Sequence, residues 1–374
     1  MLISSDHRAE EAERGSRLRK TGLENPLIDK PEGGEAADRA SAFGGHRASP
    51  ASRQRLVLAF AAVYLIWGST YLGIKFAIET IPPFLMAGTR FIIAGSMLYG
   101  WLRRRGAEIP RPAQWRSAWI VGALLFLGGN GALSWAEERI DSGLASLLVS
   151  TIPLWMVLIA HVEHRVKHQG GRLGGRVISG LALGLIGIIL LVGPSGGVGQ
   201  WGVDRLGAAV LLGGSLSWTI GSLYSPRADL PRSTLLAASM EMLCGGVLLI
   251  VFGVVTRETA ELHLAAISLR SVLGLTYLIT FGSLLGFTSY NWLLTHSTPA
   301  RVSTYAYVNP VVAVFLGWAI RGEAITLRTL TAAVLVVAAV ALIVSHRAHS
   351  TVAPTAEAAP PEAEEEPAPP LPLD

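Results

Sequence analysis

Cysteine is almost missing from this 374-residue chain: Cys244 stands alone inside an apolar run, so an intrachain disulfide and a thiolate metal cluster are both excluded. Its setting suits a small buried hydrophobe. No G-x-x-x-x-G-K-[ST] run occurs, so the chain lacks the phosphate cradle of an ATP-driven pump. His161, Glu163 and His164 match no zincin spacing and read as a polar collar, and no other motif asks for a metal or a cofactor. The opening MLISSDHRAEEAERGSRLRK lacks the short apolar core of a secretory signal peptide, so the first hydrophobic segment is expected to direct insertion itself. Charge is scarce too, at 16% of residues against about 25% in a soluble domain.

What is present is apolar. Hydrophobic residues make up 51% and the mean hydropathy is +0.44. Lys and Arg crowd into the first 55 residues and the loops, while Leu56 to Ile74 and Val177 to Val192 contain none. The pI near 9.4 therefore points to contact with anionic lipid headgroups. A nucleic-acid partner is not expected, because no basic stripe interleaved with exposed aromatics lies outside the hydrophobic runs.

Three zones follow. Residues 1–52 are polar and unpatterned, which predicts a disordered cytoplasmic tail, and residues 348–374 form a Pro- and Glu-rich tail. Between them lie ten hydrophobic stretches of roughly the 17 to 25 residues that cross a hydrocarbon core, split between residues 53–200 and 201–347. Placing the amino terminus inside puts Arg103, Arg104, Arg105, Arg111, Arg116, Arg165 and Arg172 on the cytoplasmic side with most of the loop cations. Only Lys75, Arg139, Arg205, Arg257, Arg270, Arg321 and Arg328 then remain outside.

The two halves are copies. Gly129, Trp135, Ser146 and Pro153 recur at one constant spacing as Gly286, Trp292, Ser303 and Pro310, and at a slightly shorter spacing Trp67 recurs as Trp218 and Gly95 as Gly246. An odd number of spans per copy forces the second to enter the bilayer upside down. The expected fold is thus an all-α integral membrane protein with ten transmembrane helices in a 5+5 inverted repeat, an architecture of secondary transporters.

Three segments, LIWGSTYLGIKFAIETIPPFLMAGTRF, SLLVSTIPLW and YVNPVVAVFLGWAIRGEAIT, resemble the EamA-type permeases of the drug/metabolite transporter superfamily. The resemblance runs from about Leu56 to Val344. It implies a metabolite exporter or exchanger in the cell membrane, with a central cavity lined mainly by the first, third, fourth, sixth, eighth and ninth helices. The first half departs from the family pattern: HVEHRVKHQGG stands where a Gly-Glu turn often follows the fourth span, whereas the second half keeps Gly322 and Glu323.

Site residues can be sought without that resemblance. Ser146, Ser150 and Pro153 share a helix face, and Ser303, Tyr307 and Pro310 copy their spacing. Each proline disrupts the hydrogen bond to the carbonyl four residues back, so helix breaks with free carbonyls near Val149 and Ala306 are expected. Asn130 and Ser134 in the third span, and Tyr290 and Asn291 in the eighth, offer hydrogen bonds to a polar solute. Trp67, Trp135 and Trp292 offer apolar or cation–π contact, suited to amino acids, amines or flat organic solutes. The same residue types also pack helices and anchor at interfaces.

Two ionisable residues lie deep in spans at equivalent repeat positions, Arg90 and Glu241. A charge at the bilayer centre costs about 2.5 to 3.5 kcal/mol on insertion scales, so they either pair or find separate partners. Glu241 is the candidate proton-coupling carboxylate, against a purely structural role. Lys75 either snorkels or reaches the cavity. Glu137, Glu138 and Asp141 form an acidic cluster read as a solvated loop at the outer mouth. The glycines of GLALG, with Gly187, offer a close-packing face either to a second copy of the chain or to the internal fold. The function expected is secondary transport of a small metabolite without catalysis. The alternative is an integral membrane lipid-modifying enzyme, for which His161, Glu163, His164 and His168 are the nearest approach to a catalytic cluster.

Overall fold

The computed structural model describes residues 50–166, 175–192, 204–297, 299–302 and 304–350. The chain divides into Met1–Arg53, of which only the last few residues are described, and Gln54–Asp374, which holds the bundle. The expected tails before residue 50 and after residue 350 lie outside the described residues, as do His168 and Ser303.

Every regular element among the described residues is helical. In chain order the segments are α1 (Pro50–Ala77), α2 (Pro83–Arg104), α3 (Pro112–Ala136), α4 (Ser142–Val149 and Ile152–Val166) and α5 (Gly175–Val192). The second half supplies α6 (Arg205–Tyr224), α7 (Thr234–Val255), α8 (Leu269–His296), α9 (Pro299–Val302 and Tyr305–Leu316) and α10 (Leu327–Ser350). By length and composition α1, α3, α4, α6, α7 and α8 are each able to cross a membrane, and α5 and α10 contain the shorter apolar stretches Val177–Val192 and Leu327–Ile343.

Local chemistry sets the boundaries. Proline opens α2 and α3, where its missing N–H costs nothing. Asp204, Ser233 and Ser268 cap α6, α7 and α8 by accepting from the backbone N–H of Gly207, Leu236 and Ser271. α4 is interrupted by a turn at Ser150–Thr151, and Pro153 is the second residue of the helix that resumes. The expectation for Pro310 needs correction: it lies inside the continuous helix Tyr305–Leu316. A proline forfeits one ladder bond, which a helix tolerates when its neighbours hold it straight.

Helices of one half pack chiefly on helices of the other. In α2 against α7, a Cβ at Gly95 would lie 3.0 Å from the Ser239 carbonyl, and one at Gly246 would lie 3.1 Å from the Gly88 carbonyl. Gly88 and Ser239 are themselves repeat equivalents, so one contact is made twice about a pseudo-twofold axis, with the equivalent helices antiparallel. Small residues permit this backbone approach, which supplies helix association where lipid offers no hydrophobic drive. The α5 glycines behave alike: Gly180, Gly184 and Gly187 meet Ile343, Ala339 and Val336 of α10. That face therefore serves the internal fold. Outward, Leu58, Leu65, Ile186, Ile189, Val251 and Phe315 are exposed, an apolar surface suited to lipid.

Candidate functional site

A cavity of about 140 Å³ opens between the halves. Its wall takes Trp67, Thr70, Tyr71 and Ile74 from α1, Arg90 and Phe91 from α2, and Gly129, Asn130 and Leu133 from α3. Val149 and Ile152 flank the break in α4, and α6 adds Leu211, Gly214, Ser215 and Trp218. Gly282 and Phe287 of α8 and Tyr305 and Asn309 of α9 complete it. All six helices implied by the family resemblance contribute, and α2 joins them. Both members of several repeat-equivalent pairs line it: Trp67 and Trp218, Asn130 and Phe287, and Ile152 and Asn309.

Six aromatic residues line the cavity: Trp67, Tyr71, Phe91, Trp218, Phe287 and Tyr305. Trp67 meets Phe287, Tyr290 and Tyr305 at centroid separations of 5.6, 5.1 and 5.2 Å. Its indole N–H donates to the Gly282 carbonyl at 3.3 Å. Phe91 and Phe126 stand edge to face at 4.5 Å. Such pairs contribute about 0.5 to 1.5 kcal/mol each beyond area burial, so the rings form a rigid wall.

Among the described residues Arg90 is the one charged residue of that wall. It is buried, its Nε donates to the Ser283 hydroxyl at 3.0 Å, and its guanidinium stacks 4.7 Å from the Phe91 ring centre. Glu241, its repeat equivalent, is not its partner; that carboxylate accepts from the Ser225 hydroxyl at 3.2 Å and does not line the cavity. The guanidinium keeps further N–H donors for a ligand. Opposite in chemistry is Asn309, buried at the wall with an Oδ1 that has no hydrogen-bond partner. The aliphatic hydroxyls of the wall, in contrast, are satisfied locally: Thr70 donates to Trp67 O and Ser215 to Leu211 O.

Widened turns carry part of the wall. π-helix runs over Ala123–Gly131 in α3 and Leu278–Leu285 in α8, at overlapping repeat positions, and Gly129, Asn130 and Gly282 lie within them. Such bulges frequently accompany functional sites.

One end of the bundle, where α1, α3, α7 and α9 finish, is tied across the halves by carboxylates. Glu323 accepts from Ser142 N at 3.0 Å, Ser142 Oγ at 2.7 Å and Gly143 N at 3.1 Å, capping α4. Gly322 makes this reach possible, with φ +69°, a left-handed turn that glycine adopts without strain. Glu258 accepts from Phe84 N and Leu85 N at 3.1 and 2.9 Å, capping α2. Glu79 pairs with Arg321 at 2.5 Å and lies 3.6 Å from Arg270. Glu137, at the same end, is fully buried, which corrects its reading as part of a solvated loop; Glu138, exposed, pairs with Arg139.

The EamA-like transporter family model matches residues 54–193 and again 205–345, one match per half. The chain belongs to the EamA-like transporter family. An inner membrane transporter of Escherichia coli K12, YedA, described as uncharacterized, is 38% identical over 277 residues, covering 73% of this chain and 86% of the relative. The transporter YoaV of Bacillus subtilis is 26% identical over 75% of this chain and 94% of its own length. The S-adenosylmethionine/S-adenosylhomocysteine transporter of Chlamydia trachomatis serovar L2 is 27% identical over 69% and 79%. A solved crystal structure, 20% identical, aligns with a TM-score of 0.53 over 78% of this chain and 97% of that one, which shows a shared fold.

Within this EamA-like transporter, Trp67, Asn130 and Arg90 are the sequence-derived candidates that line the cavity. The other described candidates lie elsewhere. Ser146 and Ser150 are buried and donate to the Gly143 and Leu147 carbonyls of their own helix. Ser134 is buried outside the wall. Trp135 holds the Arg139 guanidinium 3.8 Å from its ring, and Trp292 stacks on His296 at 4.1 Å. Asn291 donates to Phe287 O at 2.9 Å. Tyr290 stands behind Trp67, in contact with it and with Tyr305. Tyr307 sits two residues from Tyr305 and Asn309, about 200° around the helix, so its face points away from theirs. Of the missed wall residues Tyr71, Trp218, Tyr305 and Asn309, two had a usable signal: Trp218 is the repeat partner of Trp67, and Asn309 is an amide within apolar sequence.

Proposed function

We propose that this chain is a ten-span secondary transporter of the inner membrane, with both termini cytoplasmic, that exports a small flat or aromatic organic solute bearing a carboxylate. Amino acids and related metabolites fit that class. The observation that carries the reading is Arg90, a buried guanidinium with donors to spare in an aromatic wall between the two halves. Arginine matches a carboxylate bidentately, and desolvation strengthens the pair. The unpartnered Asn309 Oδ1 suits an N–H of the same solute, and the rings suit its flat face.

Transport then needs no covalent chemistry. The two halves rock about the cavity, and a solute that binds both end states equally tightly shifts neither; its contacts must differ between them. With the termini inside, the end tied by Glu323 and Glu258 is the outer gate, shut in this arrangement. The Chlamydia relative's two named solutes each join an amino-acid end to a flat purine, a chemistry consistent with this wall. At about 140 Å³ the cavity is smaller than the roughly 300 Å³ of typical ligand pockets, so a solute of that size requires the halves to part.

The test is thermal stabilisation of the detergent-purified chain by L-phenylalanine and L-tryptophan, compared with the matching amines that lack the carboxylate. Ligand at 100 times its Kd stabilises by about 2.7 kcal/mol. Stabilisation by the acids that disappears in Arg90→Ala supports the reading. Equal stabilisation by the amines, surviving in Arg90→Ala, overturns it.

A further inference from the structure

Glu137 differs from the carboxylates that cap helices. Glu323 and Glu258 each accept several N–H or O–H donors at helix starts, where a negative charge is favoured. Glu137 has no solvent exposure, and neither Oε1 nor Oε2 has a hydrogen-bond partner. An ionised carboxylate in that setting is uncompensated, whereas a protonated one is a small polar group. Charged and titratable groups face it from several elements: Tyr71 and Lys75 of α1, Arg90 of α2, and Arg321 and Glu323 following α9. Burial pushes the carboxyl well above the usual range; Lys75 pulls it back, Glu323 raises it further, and Arg321 and Arg90 lower it.

Two of those neighbours, Tyr71 and Arg90, also line the cavity. A solute carboxylate on Arg90 cancels the positive charge that favours ionised Glu137. Solute and proton therefore reinforce each other, each raising the affinity for the other by the same factor. We propose that Glu137 is a proton-binding site of the transport cycle, protonated while this end of the bundle is packed shut and released to water when it opens. The cycle linkage rests on the transporter reading above; the proton site itself does not.

The experiment is an infrared pH titration of the full chain in lipid nanodiscs, following the C=O stretch of protonated carboxyls. The expected result is a component of that band, persisting at neutral pH, that is lost in Glu137→Gln and retained in Glu241→Gln, with melting curves verifying that both variants are folded. In Glu323→Ala, which frees the start of α4 and lets water in, the band titrates at lower pH. L-Phenylalanine binding by the parent tightens as pH falls, by at most about tenfold per pH unit, and becomes flat in Glu137→Gln. An infrared spectrum unchanged by Glu137→Gln overturns the proton site. A band that is lost as expected, with phenylalanine binding equally steep in pH in the variant, overturns the linkage. Absence of phenylalanine binding to the parent counts against the carboxylate-solute reading, while the infrared result still decides Glu137.

Discussion

Trp218 lies over Gly129, and Trp67 lies over Gly286 in the mirrored position: a Cβ on Gly129 would come within 2.8 Å of the Trp218 ring, and one on Gly286 would collide with the Trp67 indole nitrogen. The two contacts join α6 to α3 and α1 to α8. Each relates one residue of the first half to one of the second, so the repeated glycines and tryptophans are the two sides of one interface made twice.

Gly286→Ala should therefore cost about 1 to 3 kcal/mol, the usual penalty of overpacking. Retreat of the Trp67 ring is resisted by Phe287, Tyr290 and Tyr305, which pack against it. Gly100→Ala serves as control, since nothing lies within 4 Å of its added Cβ. Thermal unfolding in detergent should separate the two variants; equal melting temperatures would refute the contact.

Arg90→Ala should weaken binding of a carboxylate solute by about 1.5 to 3 kcal/mol, the range for hydrogen bonds to charged groups. Arg90→Lys should recover only part, since an ammonium lacks the planar fork and the stack on Phe91. Equilibrium binding to purified protein is the measurement, and full recovery by lysine would show that charge alone matters there.

Loss of the Glu323 carboxylate should free the first turn of α4. Glu323→Ala is expected to cost about 2 kcal/mol and to raise hydrogen exchange at the Ser142 and Gly143 amides selectively. Glu258→Ala should do the same at Phe84 and Leu85 and leave α4 protected. Uniform deprotection in both variants would point to general unfolding in place of two separate caps.

Glu137 gives the pH dependence a definite sign. Its carboxyl is raised by burial, so the folded state keeps a proton that the unfolded state releases. The stability this provides is fully present below the ordinary Glu value of about 4.3 and is lost as pH rises through the raised folded value. Glu137→Gln removes that loss. Its melting temperature should overtake the parent's increasingly toward alkaline pH, and parallel curves at all pH values would contradict the assignment.

Some of the site is legible in the amino-acid sequence. Trp67, Asn130 and Arg90 each pair a polar or aromatic group with the middle of an apolar span, and burial in a membrane makes such groups conspicuous. Ser146 and Ser150 misled because a helical serine satisfies its hydroxyl on its own backbone, so a row of hydroxyls does not identify a wet face. Pro310 misled for a related reason: the spacing marks a weakened ladder bond, while neighbouring helices decide whether the helix breaks. Glu137 was hidden by its neighbours, for Glu138 and Arg139 are exposed and one residue of rotation separates solvent from the interior.

The amino-acid sequence by itself determined the helical class, the apolar segments and the two-copy organisation. Those depend on hydropathy run length and on identities repeated along the chain, both local in one dimension. Only the tertiary structure decided that α2 enters the cavity wall, that Arg90 meets Ser283 in place of Glu241, and that Glu323 and Glu258 hold helix starts in the opposite half. Those facts rest on which helices cross and at what rotation. Such choices come from close packing between segments far apart in the chain, where no single segment carries the information.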